Sequence, residues 1–152
     1  MSKNVILGVT GSIAAYKAAE LTSLLVKQGC DVRVVLTEDA LKFITPLAFK
    51  TLSRHPVSTD LYDEEEGWKP VHIEMADAAG LLLVAPATAN TIAKLALGLA
   101  NDALSCVALA LNPLLPKPRR RKLPVEALTP MRFAPAIFGG ALFCAFLSLP
   151  PR

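Results

Sequence analysis

The strongest constraint lies in the first 36 residues, where two short apolar runs rich in β-branched side chains flank one stretch with helical spacing. Residues 4–9 form the first run, bounded by Gly8, Thr10 and Gly11, and read as a buried strand. Ser12 offers an N-cap, after which Ile13, Lys17, Ala18, Leu21, Leu24 and Leu25 recur near helical spacing until Gly29, a natural residue beyond a helix end. Residues 31–36 form the second run. With the helix between them the strands must lie parallel, in a right-handed βαβ unit, and the layers that can follow are few.

The pattern continues through residue 112. Residues 37–39 cap a helical stretch at 40–43, and Thr45-Pro46 opens another helix with proline in its first turn. His55 to Trp68, with Pro56 and the acidic run Asp63 to Glu66, reads as a surface loop or edge strand, mobile from residue 60 to 68. Residues 72–79 form a short helix, and residues 80–85 a strand so uniformly apolar that both faces must be covered, as in a central parallel strand. A helix at 91–97 stops at Gly98, and a last one starts at Asn101-Asp102. The expected class is α/β, a Rossmann-like, three-layer, doubly wound parallel sheet, incomplete at its C-terminal end.

Composition breaks near Asn112. The first 112 residues carry 9 basic and 12 acidic side chains, and the last 40 carry 7 basic and 1 acidic together with 8 of the 12 prolines. The chain therefore divides into a folded domain, 1–112, and a divergent tail, 113–152. The 3 cysteines are far apart and contain no C-x-x-C, which argues against a disulfide framework or a zinc site and for reduced thiols in a cytoplasmic protein. The N-terminal run is too short for a secretion signal.

In an open parallel sheet, ligands sit beyond the carboxyl ends of the strands, here at residues 8–12, 36–39 and 85–90. The first loop sets two glycines and Ser12 ahead of a helix start, where free amides and the helix dipole draw an anion such as phosphate. It is neither a Walker loop nor a full G-x-G-x-x-G, and the same residues also serve as a plain strand-to-helix connector. The Thr37 hydroxyl suits a phosphate or sugar, or an ordinary N-cap. In the third loop small residues let a flat ring approach, and Thr88 and Asn90 can meet its polar edge. His72 is either a surface or capping histidine or a group able to exchange protons near neutral pH. His55 reads as surface.

Five segments carry a resemblance: residues 8–17 (GVTGSIAAYK), 36–40 (LTEDA), 43–47 (FITPL), 72–77 (HIEMAD) and 85–95 (APATANTIAKL). In this order they resemble the flavin-dependent cysteine decarboxylases, over residues 3 to about 112. The resemblance implies a Rossmann-like flavoprotein that binds FMN and assembles as a homotrimer or a multiple of trimers. Gly11, Ser12 and Thr37 would hold the FMN phosphate. Thr88, Ala89 and Asn90 would line the flavin, Asn101-Asp102 match a polar pair, and His72 would be the catalytic base. A cysteinyl thiol would be oxidised to a thioaldehyde, which takes up the electrons released as carbon dioxide leaves, and the hydride would then return. The expected partner is a small cysteinyl substrate, with no nucleic acid, metal or membrane.

The resemblance stops near residue 112. The family's Pro-x-Met-Asn motif and the flap cysteine are not found: Phe138 stands where the asparagine belongs, and Cys144 lacks the flap's glycines. The tail instead carries a basic cluster at 119–122 and 17 uncharged residues, 133–149. A membrane span would be short and interrupted by Pro135 and Gly139-Gly140, and a nucleic-acid patch would lack aromatic residues. A shifted reading frame accounts for proline, arginine and hydrophobicity rising together, and a poorly ordered tail is then expected. An FMN-binding module without turnover is the alternative to an active enzyme. Flavin prenyl transfer fits the Ser12 to Lys17 helix start less well.

Overall fold

The computed structural model describes residues 3–61 and 70–111, and the backbone of 136–138 and 142–148. Strand β1 is Lys3–Val9, helix α1 Tyr16–Lys27 and strand β2 Cys30–Leu36; then come α2 (Pro46–Ser53), β3 (Val57–Ser58), α3 (Val71–Ala78), β4 (Leu81–Val84), α4 (Ala89–Leu97) and α5 (Ala103–Ala110). Backbone at Ala136–Phe138 and Leu142–Ser148 adds β5 and β6.

The sheet order is β3-β2-β1-β4-β6-β5. The first four strands are parallel, with Val9 opposite Leu36 and Gly8 opposite Val84. The edge position of β3 meets one of the two expectations for that region, and β4 is internal as its apolar run requires. Its second neighbour is β6, which pairs antiparallel, Leu82 opposite Leu147. Apart from β5 and β6 the expected tail lies outside the described residues, as does the acidic run 63–66.

Alternation along the strands feeds two cores. Leu7, Val9, Val34 and Leu36 pack with Ala15, Ala18 and Phe49 beneath α1 and α2. Ile6, Leu82 and Val84 pack with Met75, Leu95, Leu104 and Val107 beneath α3, α4 and α5. Helices thus cover both faces, the three-layer doubly wound arrangement.

Local chemistry moves some boundaries. The helix after Ser12 opens as a 3₁₀ turn, Ile13–Ala15, because the Ala14 amide donates to Ser12 Oγ and the Ala15 amide to the Ser12 carbonyl. The stretch expected at 40–43 is a second 3₁₀ turn, Glu38–Lys42. Helix α1 ends at Lys27, two residues before Gly29, whose φ of +79° favours glycine. Helix α4 starts at Ala89, two residues before the expected Thr91, since Thr88 supplies its cap.

Candidate functional site

Chain order sets the site. From β1 the chain moves outward to β2 and β3 with α1 and α2 on one face, then returns to β4 on the other side of β1 with α3 on the opposite face. The switch point, beside which ligands sit in an open parallel sheet, lies between β1 and β4. All three loops start at one level: the Thr37 amide donates to Val9 O at 3.0 Å and the Ala85 amide to Gly8 O at 2.8 Å.

The two glycines of the first loop have different tasks. Gly8 lies inside β1, and a Cβ there would fall 2.4 Å from Leu104 Cδ1, so its smallness serves packing beneath α5 rather than an anion. Gly11 lies in the turn itself. A Cβ there would come 2.4 Å from Asp39 Cβ and 2.8 Å from the Asp39 carbonyl carbon, so the first loop rests directly on the second. Ser12 Oγ accepts the Ala14 amide at 3.3 Å and keeps its own proton available to donate.

Thr37 sits at the cap of the second 3₁₀ turn but does not cap it with its side chain; the Ala40 amide bonds to the Thr37 carbonyl instead. Its Oγ1 is buried and has no hydrogen-bond partner. The N-cap reading of this hydroxyl therefore fails, and a buried polar atom without a partner is costly unless something else meets it. Beside it, a hydrogen bond and the charge of Lys42 hold the Asp39 carboxyl below its ordinary value, with a smaller pull from Lys94.

In the third loop, Thr88 Oγ1 accepts the Thr91 amide and lies 3.0 Å from Thr91 Oγ1. Its hydroxyl is thus engaged in the cap of α4, while Ala89 and Asn90 are exposed in the first turn. One turn on, Lys94 Nζ donates to Asp102 Oδ2 at 2.7 Å. Asp102 Oδ1 caps α5 by accepting the Ser105 amide, and Ser105 Oγ accepts the Asp102 amide, a capping box. Burial pushes the Asp102 carboxyl up, but the bonds from Lys94 and Ser105 and the Lys94 charge outweigh it and hold it below 3.8.

His72 lies in the first turn of α3. The far end of that helix is tied to the start of β1, since Asn4 Nδ2 donates to Ala78 O at 2.9 Å. The helix runs antiparallel to β4, which brings His72 to the level of the carboxyl strand ends. It is half-buried, and its Nδ1 is buried without a partner. His55 is not a bare surface residue: its Nε2 pairs with Asp31 Oδ1 at 2.5 Å. Among the described residues no group of three or more His, Cys, Asp or Glu side chains could hold a metal ion.

Three loops thus meet at the switch point, and one of them bears a buried hydroxyl without a partner. A family model described as Flavoprotein matches residues 1–136. The chain belongs to the Flavoprotein family. Its relatives include the coenzyme A biosynthesis bifunctional protein CoaBC of Bacillus subtilis, 51% identical over 109 residues, which are 72% of this chain and 27% of that protein. The flavoprotein thus spans about a quarter of the length of the curated relatives it matches. Among solved structures it resembles the FMN-dependent cysteine decarboxylase SpaF (31% identity, TM-score 0.66, 71% of this chain and 62% of that one). It also resembles a PPC decarboxylase variant complexed with pantothenoylaminoethenethiol (29% identity, TM-score 0.61, 74% of this chain and 62% of that one). These likenesses share its α/β, Rossmann-like architecture.

Sequence reasoning missed Thr10, Lys94 and the Gly8–Leu104 contact. A threonine between a strand end and a glycine turn was the available signal for Thr10. Nothing local marks the other two, which depend on where α5 returns.

Proposed function

We propose that this flavoprotein binds FMN at the β1–β4 switch point and uses it to decarboxylate 4′-phosphopantothenoylcysteine to 4′-phosphopantetheine, a carboxy-lyase step of coenzyme A biosynthesis. The observation that carries the reading is the buried Thr37 Oγ1, which has no partner and stands next to the turn where Gly11 lies against Asp39. A phosphate oxygen meets that unfilled bond. Ser12, beside Gly11 in the first loop, offers its remaining O–H. Ala89 and Asn90 lie exposed in the third loop for the ring, and Thr88 holds that turn in shape through its cap.

When bound, FMN would supply a two-electron acceptor that takes up the pair from the substrate and gives it back to the decarboxylated product. The chain's own residues do the rest. The turns hold substrate and flavin together. His72 takes the thiol proton as the substrate carbon is oxidised, and the thiocarbonyl so formed accepts the electron pair of the breaking carbon–carboxylate bond.

Large apolar side chains exposed around the first two loops, Ile13 at 77% and Leu47 at 70%, together with Tyr16 and Phe43, support assembly into a homo-oligomer. No helix of the described residues is long and apolar enough to cross a membrane. Free Cys30 and Cys106 fit a reducing, cytoplasmic setting.

Fluorescence titration with FMN, followed by carbon dioxide release from 4′-phosphopantothenoylcysteine, tests the reading. Saturable 1:1 binding and release are expected. Binding without release would leave a flavin-binding module, and no binding would end the proposal.

A further inference from the structure

Thr10 has a task that neither glycine explains. It lies in the loop after β1 yet is only 1% exposed, and its hydroxyl is committed twice to the third loop. Oγ1 donates to Pro86 O at 2.6 Å and accepts the Thr88 amide at 3.1 Å. The last backbone hydrogen bond between these two segments runs from the Ala85 amide to Gly8 O. Past that point the Thr10 side chain ties the loops across a separation of 76 and 78 residues.

We propose that Thr10 is a positioning residue that fixes the spacing between the turn at Gly11 and Ser12 and the turn at Thr88 to Asn90, and so sets the preference for a phosphorylated flavin over an unphosphorylated one. The inference rests on the flavin reading above. The two ends of FMN engage different turns, and their binding contributions add in full only when the turns are held at the ligand's own span. Riboflavin engages the ring turn alone and does not sense the spacing. Loss of the strut therefore weakens FMN selectively. Valine keeps the shape of Thr10 and removes both hydrogen bonds; serine keeps the hydroxyl.

The wild-type chain, Thr10→Val and Thr10→Ser are titrated with FMN and with riboflavin, and thermal unfolding is followed without ligand. The expected result is a drop of about tenfold in the FMN-over-riboflavin preference of Thr10→Val, matching the loss of buried hydrogen bonds, with the wild-type preference retained in Thr10→Ser. Equal weakening of both flavins would mean general loosening and overturn the proposal, as would an unchanged preference in Thr10→Val or a loss in Thr10→Ser. If Thr10→Val does not fold, Thr10→Ala is read the same way. A wild-type chain that binds neither flavin removes the flavin reading and this inference together. Wild-type binding with an unchanged preference in the variant removes only the role of Thr10.

Discussion

Lys94 Nζ lies 2.7 Å from Asp102 Oδ2, a half-buried ion pair that ties α4 to the first turn of α5. An ammonium beside a helix N-terminus meets the positive end of the helix dipole, so the carboxylate must offset both charges. Asp102→Asn keeps a capping oxygen but drops the charge, and it is expected to destabilise the fold by about 1–2 kcal/mol at neutral pH. The pH dependence has a definite sign. The Asp102 carboxyl is held below 3.8 when folded, so the unfolded chain takes up the proton first as pH falls. Stabilisation from the charge is complete above about pH 5 and disappears as pH drops through 3.8 and then the folded value. Thermal unfolding of wild type and variant between neutral and acid pH checks this, and a melting gap that persists into acid would refute it.

Thr37→Val makes an unusual combination of effects. The buried Oγ1 has no partner, and a hydroxyl in that state costs about 1–3 kcal/mol of stability. Removing it should leave the ligand-free protein as stable as wild type or more so. FMN affinity should fall by roughly tenfold through the loss of one charge-assisted hydrogen bond. Calorimetry without ligand and fluorescence titration with it read the two effects separately; a lower melting temperature with unchanged affinity would assign Thr37 to structure alone.

Thr37 also marks what the sequence discloses. Thr37 was visible because the strand before it, 31–36, is apolar and ends sharply, and strand ends locate ligands in a doubly wound sheet. Elements with local signals were legible for the same reason: Pro46 at a helix start, Gly29 at a helix end, Ser12 as a cap. Thr88 is expected at the flavin edge, and its Oγ1 also accepts the Thr91 amide, a contact that the pattern of small polar residues does not reveal. Contacts between distant segments were not legible at all. Gly8 meets Leu104 and Gly11 meets Asp39 only after the strands are in register, and spacing along the chain carries no record of that.

The two glycines should respond differently to alanine. At Gly8 the three atoms nearest the new Cβ all belong to the side chain of Leu104, so Gly8→Ala should cost about 1–3 kcal/mol, and Leu104→Val in the same chain should recover part of it. At Gly11 the Asp39 carbonyl carbon and oxygen stand 2.8 and 2.9 Å away, and no truncation of a neighbour clears backbone. Gly11→Ala should therefore displace the turn and abolish FMN binding, with no rescue from Asp39→Gly. Denaturant unfolding and flavin titration of the two single and two double variants test the contrast, and a rescued Gly11→Ala would contradict it.

His72 gives the sharpest separation between binding and chemistry. It reaches the carboxyl edge from α3, an element that supplies none of the three loops, so it can be replaced without moving the turns assigned to phosphate and ring. Its Nδ1 makes no hydrogen bond that would anchor a neighbouring loop. His72→Asn keeps a similar polar outline and removes the proton-exchanging ring. Turnover of 4′-phosphopantothenoylcysteine should fall by about 10²–10⁴-fold, the usual contribution of a positioned acid or base, while FMN affinity stays at the wild-type level. Parallel measurement of carbon dioxide release and FMN fluorescence decides the matter. Wild-type turnover in the variant would remove His72 from the mechanism, and loss of flavin would make it part of the pocket rather than the proton-transfer group.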